Sequence, residues 1–172
     1  MSQSNERFES AVLVHLDAAY NLARWLSRSE HDAQDIVQEA FIRALRGFDQ
    51  FRGGDARTWL LAIVRNVSFT WLQRRKTNRE LHEQVEEPVD DRIDPEAILL
   101  RAADVQRVRD SIERLPADLR AVLVLRDMEG LSYKEIAGTL EVPIGTVMSR
   151  LSRARERLAA MLVEPAPVRE LP

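Results

Sequence analysis

The sequence predicts an all-α fold: two small helical domains joined by an acidic flexible linker, with a helix-turn-helix in the second. Three observations carry this. Apolar residues recur at helical spacing and strand-like alternation is missing. An acidic stretch containing Pro88 and Pro95 divides the chain. The segment Leu131–Leu158, LSYKEIAGTLEVPIGTVMSRLSRARERL, reads as two helices around a tight turn.

Charge places the boundaries. The formal net charge of −3 hides an asymmetry. Residues 1–79 carry 12 basic and 9 acidic side chains, residues 80–96 carry 1 and 8, and residues 97–172 carry 12 and 11. Two near-neutral or basic domains, 1–79 and 97–172, thus flank the connector ELHEQVEEPVDDRIDPE, which is too poor in apolar residues for a core element. At 172 residues the chain is long enough for two small domains.

Several classes are excluded. With no cysteine, disulfides and thiolate zinc sites are ruled out. His15, His31 and His82 are scattered without metal-ligand spacing, so neither a metal nor another cofactor is expected. No apolar run approaches the roughly 20 residues of a membrane span. MSQSNERFES lacks the basic start and apolar core of a signal peptide. A cytoplasmic protein with no membrane insertion of its own is therefore expected.

In the first domain the periodicity predicts helices over about 5–27, 31–47 and 55–75. Asp32 can cap the second, whose apolar side is Ile36, Val37, Ala40, Phe41, Ala44 and Leu45. Its remaining surface holds Asp35, Gln38, Glu39, Ile42, Arg43 and Arg46, either a solvated face or a docking surface for a protein partner. Gly53 and Gly54 make a loop, and Asp55 can start the third helix. There Trp59, Leu60, Ile63, Val67 and Trp71 recur at helical spacing, which favours the core for both tryptophans. The helix ends in Arg74, Arg75 and Lys76. Cations favour a helix C-terminus, and aromatics near cations also suit unstacked single-stranded bases. Both readings stay open on the residues alone.

The second domain is predicted to hold helices over about 95–114, 117–128, 132–140 and 143–162, then a frayed tail, VEPAPVRELP. Ser132 and Glu135 form a capping box. Ala137 is small enough for close helix crossing, Glu141 and Val142 make the turn, and Pro143 suits the next helix start. At 100° per residue, Ile144, Val147, Leu151, Ala154 and Leu158 form one stripe. Ser149 and Arg153 centre the opposite face, flanked by Thr146, Arg150, Ser152 and Arg157. Arginine reads guanine or pairs with phosphate, and hydroxyls contact base or backbone. Arg155 lies nearer the buried side and is expected to pack or hold backbone.

Taken along its length, the chain resembles the bacterial sigma factors of the extracytoplasmic function group, in the sigma-70 family. The resemblance rests on DAQDIVQEAFIRALRGFDQFRGG, ARTWLLAIVRNVSFTWLQRRK and IERLPADLRAVLVLRDMEGLSYKEIAGTLEVPIGTVMSRLSRARERL, in that order and spacing. It implies an initiation factor, not an enzyme, with core RNA polymerase and promoter DNA as partners. It further implies control by an anti-sigma factor. By position, it assigns polymerase binding to Asp35, Gln38, Glu39 and Arg43. Arg65 and Asn66 fall where relatives capture a flipped base of the minus-ten strand, with Arg74, Arg75 and Lys76 on its backbone. Thr146, Ser149, Arg150, Ser152, Arg153 and Arg157 fall on the minus-thirty-five reader, and the acidic linker on the RNA-exit region. Met148 departs from the Lys or Arg frequent in relatives. Two other classes compete: a self-sufficient helix-turn-helix repressor or activator, which would bind an operator tightly as a dimer without polymerase, and a metal-dependent nuclease using the carboxylates of 80–96.

Overall fold

The computed structural model describes residues 3–81 and 96–163. The connector expected at 80–96 falls almost wholly on residues 82–95, outside the described residues, as does the tail beyond residue 163. No described helix is long and apolar enough to cross a membrane.

Four helices make the first unit: α1 (Gln3–Val12), α2 (Leu16–Ser27), α3 (Glu30–Gly47) and α4 (Ala56–Leu81). The expected single helix over 5–27 is broken by a 3₁₀ turn at Leu13–His15. α2, α3 and α4 pack on one another around Leu22, Leu26, Ile36, Ala40, Leu60, Leu61 and Val64, all 0–2% exposed. Phe8 of α1 meets Phe48 edge-on at 5.3 Å and Phe41 at 6.4 Å, closing one end of this core. α3 starts one residue earlier than expected because Ser29 is its cap, its hydroxyl accepting the Asp32 N–H at 3.3 Å. The Asp32 carboxylate instead pairs with Arg75 of α4 at 3.2 Å. Asp55 does cap α4, accepting the Arg57 N–H at 3.0 Å and the Thr58 hydroxyl. Gly53 and Gly54, with φ of 90° and 108°, supply the left-handed backbone leading into it.

The second unit contains α5 (Glu96–Arg114), α6 (Ala117–Leu123), α7 (Tyr133–Leu140) and α8 (Ile144–Val163). α6 runs on into a π turn, Val124–Met128, where the Glu129 N–H reaches back to the Val124 carbonyl at 3.0 Å. α6 and α7 pack against α8 through Leu119, Val122, Ile136, Leu140, Val147, Leu151 and Ala154. α5 lies along α8, and Arg107 donates to the Leu162 carbonyl at 2.8 Å, near the C-terminal end of that helix.

Candidate nucleic-acid interface

The helix-turn-helix forms as its residues dictate. The Ser132 hydroxyl accepts the Glu135 N–H at 3.2 Å and the Glu135 carboxylate accepts the Ser132 N–H at 2.6 Å, completing the capping box. Hydrogen bonding of the Glu135 carboxylate to the Ser132 side chain, first, and to the Ser132 N–H holds this carboxyl below its ordinary range. Glu141 ends α7 in the left-handed region, φ 55°, its N–H on the Ala137 carbonyl. Pro143 then sits immediately before α8, and its carbonyl accepts from Thr146 and Val147.

Val147, Leu151 and Ala154 are buried and Leu158 is half-buried, but Ile144 is 46% exposed. It lies in the first turn of α8, at the edge of the buried stripe, where the partner helices do not cover it. Ser149, Ser152, Arg153 and Arg157 are exposed together on the outer face, with Thr146 half-buried beside them. Arg153 lies back along the helix, donating to the Ser149 carbonyl at 3.3 Å and to its hydroxyl at 3.4 Å. Ser149 donates to the Thr146 carbonyl at 3.1 Å and Ser152 to Glu156 at 2.9 Å. Arg150 stands apart: it is half-buried and pairs with Asp118 of α6 at 3.3 Å. Arg155 pairs with Asp127 at 2.6 Å, a hydrogen bond that raises its already high pKa.

The first unit carries a concave site instead. A cavity of about 420 Å³ opens between the end of α3, the turn after it and α4. Asn66 lines it together with Phe51, Trp59, Ile63, Gly47, Gln50 and Arg43. Phe51 and Trp59 lie 4.8 Å apart, and Phe51 stacks on Phe48 at 6.0 Å. A Cβ at Gly47 would sit 3.7 Å from the Trp59 ring, so the backbone comes close to the indole there. The core expected for both tryptophans is therefore half right: each packs on it with one side, but neither is buried. Arg65 is tied to its neighbour, donating to the Asn66 Oδ1 at 2.7 Å, and lies 5.0 Å from the Phe69 ring. Sequence reasoning missed Phe51 as a lining residue; its signal was an aromatic just before the Gly53–Gly54 turn and eight positions before Trp59.

Asp35, Gln38, Glu39 and Arg43 are all exposed on α3, with Glu39 accepting from Arg43 at 2.7 Å. Asp35, Glu39 and Arg43 also line a groove of about 340 Å³ with Val67, Thr70, Trp71 and Arg74 of α4. Of the basic cluster, Arg74 and Lys76 are exposed, whereas Arg75 is half-buried over the Trp71 ring at 5.1 Å and paired with Asp32. α3 and α4 thus bring the residues assigned to polymerase and to single-stranded DNA onto adjoining surfaces.

The family model for sigma-70 region 2 matches residues 12–78, and that for sigma-70 region 4 matches residues 105–158. The chain is 40% identical over 147 residues to the ECF RNA polymerase sigma-E factor of Haemophilus influenzae, covering 80% of this chain and 77% of that protein. It is 38% identical over 164 residues to the ECF RNA polymerase sigma factor SigE of Mycolicibacterium smegmatis; this covers 91% of the chain but only 62% of that longer relative. Among solved structures, the sigma factor RpoE of Bartonella quintana, in complex with the anti-sigma factor NepR, superposes with a TM-score of 0.77 at 28% identity, covering 93% of this chain and 99% of that one. The chain belongs to the extracytoplasmic function sigma factors of RNA polymerase, in the sigma-70 family.

Proposed function

We propose that this chain brings core RNA polymerase to its promoters in the cytoplasm and helps open them, as an initiation factor with no catalysis of its own. The exposed face of α3, with Asp35, Gln38, Glu39 and Arg43, docks on polymerase. Residues 97–172 read the minus-thirty-five duplex: Ser149, Ser152 and Arg153 face base edges, while Thr146 and Arg157 hold phosphates on either side. Arg150, engaged by Asp118, serves mainly to brace α8. Residues 1–79 capture the minus-ten strand. An unstacked base enters the cavity at Asn66 between Phe51 and Trp59, and Arg74 and Lys76 follow its backbone. Residues 80–96 bridge the two. An anti-sigma factor regulates the whole by covering the polymerase-binding surface.

The observation that carries this reading is the cavity: an amide and two aromatic rings in one recess, on a chain that also presents a hydroxyl-and-arginine helix. Stacking contributes about 1–3 kcal/mol per base, enough to offset much of the few kcal/mol that extruding one base costs. Neither surface is extensive, so binding to free DNA is weak and salt-dependent, and polymerase supplies the effective concentration that couples the two. Reconstitution with core polymerase tests it. Mapped transcription starts are expected to share two upstream elements, with permanganate-reactive thymines at the nearer one. Tight binding of a palindromic operator by the purified chain as a dimer, without polymerase, would overturn it.

A further inference from the structure

Beside its row of hydroxyls and arginines, α8 carries an apolar step that stays exposed. Ile144 and Met148 are 46% and 54% exposed, one turn apart on the same edge of the helix. Ser152, also exposed, continues that edge by another turn. At about 1.5 Å per residue, Ile144 to Ser152 covers roughly 12 Å, the length of three to four base pairs at about 3.4 Å each. The arginine on this edge, Arg155, has its guanidinium on Asp127 at 2.6 Å. Arg153, on the far side of the outer face, folds back over Ser149. The edge therefore presents methyl, methylene and thioether surface between two engaged cations.

A second observation points outward at the same place. Gly145 is exposed and lies between this edge and Ser149. A Cβ there would meet nothing within 4 Å, so no packing inside the chain asks for glycine. Glycine in a helix costs stability relative to alanine. What it offers is room, a notch through which a neighbour can come up to the α8 backbone beside Met148.

In a groove-bound helix-turn-helix the first turns of the second helix meet the base edges. Ile144, Gly145 and Met148 occupy those turns. The apolar group that a base pair displays in the major groove is the C5 methyl of thymine. A thioether on an unbranched, flexible stem adapts its packing to such a group. We propose that Met148 is a specificity-determining residue: its side chain packs on a thymine methyl of the minus-thirty-five element. Ile144 walls that methyl on the side of the turn, and Gly145 leaves room for the base pair. This role rests on the promoter reading above and adds to it a preference for one base, read by shape and not by hydrogen bonds.

Holoenzyme reconstituted with the full chain tests it, by capture and sequencing of promoter duplexes randomised across the upstream element. The native chain is expected to select thymine at one position there. Replacing that thymine by deoxyuridine keeps the pairing and removes only the methyl. Binding should then weaken about fourfold, the contribution of one buried methyl group. Met148→Ala should bind the thymine and deoxyuridine duplexes alike, with its selection at the other positions unchanged. Met148→Leu, apolar and of similar volume, should keep the methyl dependence. Met148 loses this role if no selected thymine responds to removal of its methyl, or if the response survives in Met148→Ala. It also loses it if Met148→Ala weakens binding to core polymerase without DNA, which would make the step a protein contact. A holoenzyme that selects no upstream sequence removes the promoter reading and Met148 with it. One that selects an element blind to thymine methyls removes the role of Met148 alone.

Discussion

The two surfaces proposed to meet DNA are built on opposite principles. α8 presents a convex row of hydroxyls and guanidinium groups whose positions follow from one helix and its caps. The recess at Asn66 is concave, and three separate elements shape it: the end of α3, the turn carrying Phe51, and α4. A convex row suits the edges of paired bases in a groove. A recess walled by two aromatic rings suits a base already out of the stack. The same difference decides what a single substitution can do, because a helix face loses one contact at a time whereas a recess loses its shape.

The largest effect is therefore expected at the recess. Trp59→Ala removes one wall and the 4.8 Å contact with Phe51. It should lose about 1–3 kcal/mol of strand capture, or roughly 5- to 150-fold fewer melted complexes by permanganate reactivity. Asn66→Ala, which leaves the aromatic wall intact, should show the same pattern more weakly, with closed complexes unchanged in footprints. On the convex side, Arg153→Ala should lose up to about 1–3 kcal/mol of promoter binding, concentrated at one base pair, while the variant still co-purifies with core polymerase. Uniform loss across all promoter sequences would instead make Arg153 a phosphate contact.

Ser132→Ala removes the cap of α7 and is expected to cost about 1 kcal/mol, read as a lowered urea midpoint. Its box partner makes the cap pH-sensitive. The Glu135 carboxyl is depressed in the folded chain by the Ser132 bonds, so its contribution is complete above the ordinary carboxylate range. It is lost as pH falls through the depressed value. The midpoints of the wild-type chain and Glu135→Gln should differ near neutrality and converge in acid. The smallest effect belongs to Arg150→Ala, which breaks the pair with Asp118 and should cost under about 1 kcal/mol of stability, with little change in base preference.

Local features were legible in the sequence because their causes are local. The Ser132–Glu135 box, the turn at Glu141 and the outer row of α8 all follow from spacing within a dozen residues. What the sequence hid depends on partners far along the chain. Asp32 reads as a cap until Arg75, 43 positions away, takes its carboxylate and leaves Ser29 to cap α3. Arg150 reads as a DNA contact, with no hint of its pair with Asp118, 32 positions away. Trp59 has the spacing of a core residue, yet only the turn bearing Phe51 makes one of its sides a wall. Nothing in the sequence signals that Glu129 accepts from Arg57 and Asn21, 72 and 108 positions away.

The π turn at Val124–Met128 has a further consequence, in chain length. A π turn holds one residue more than an α-helical path between the same ends. Were the same residues wound as regular α-helix instead, the following position would swing by about 100°. The hydrophobic anchors Val122 and Leu125 tolerate little rotation, so the misalignment would fall on the acid that follows. Substitutions that favour regular α-helix over Val124–Met128 are therefore expected to move Glu129 away from Arg57 and Asn21 while leaving α8 in place.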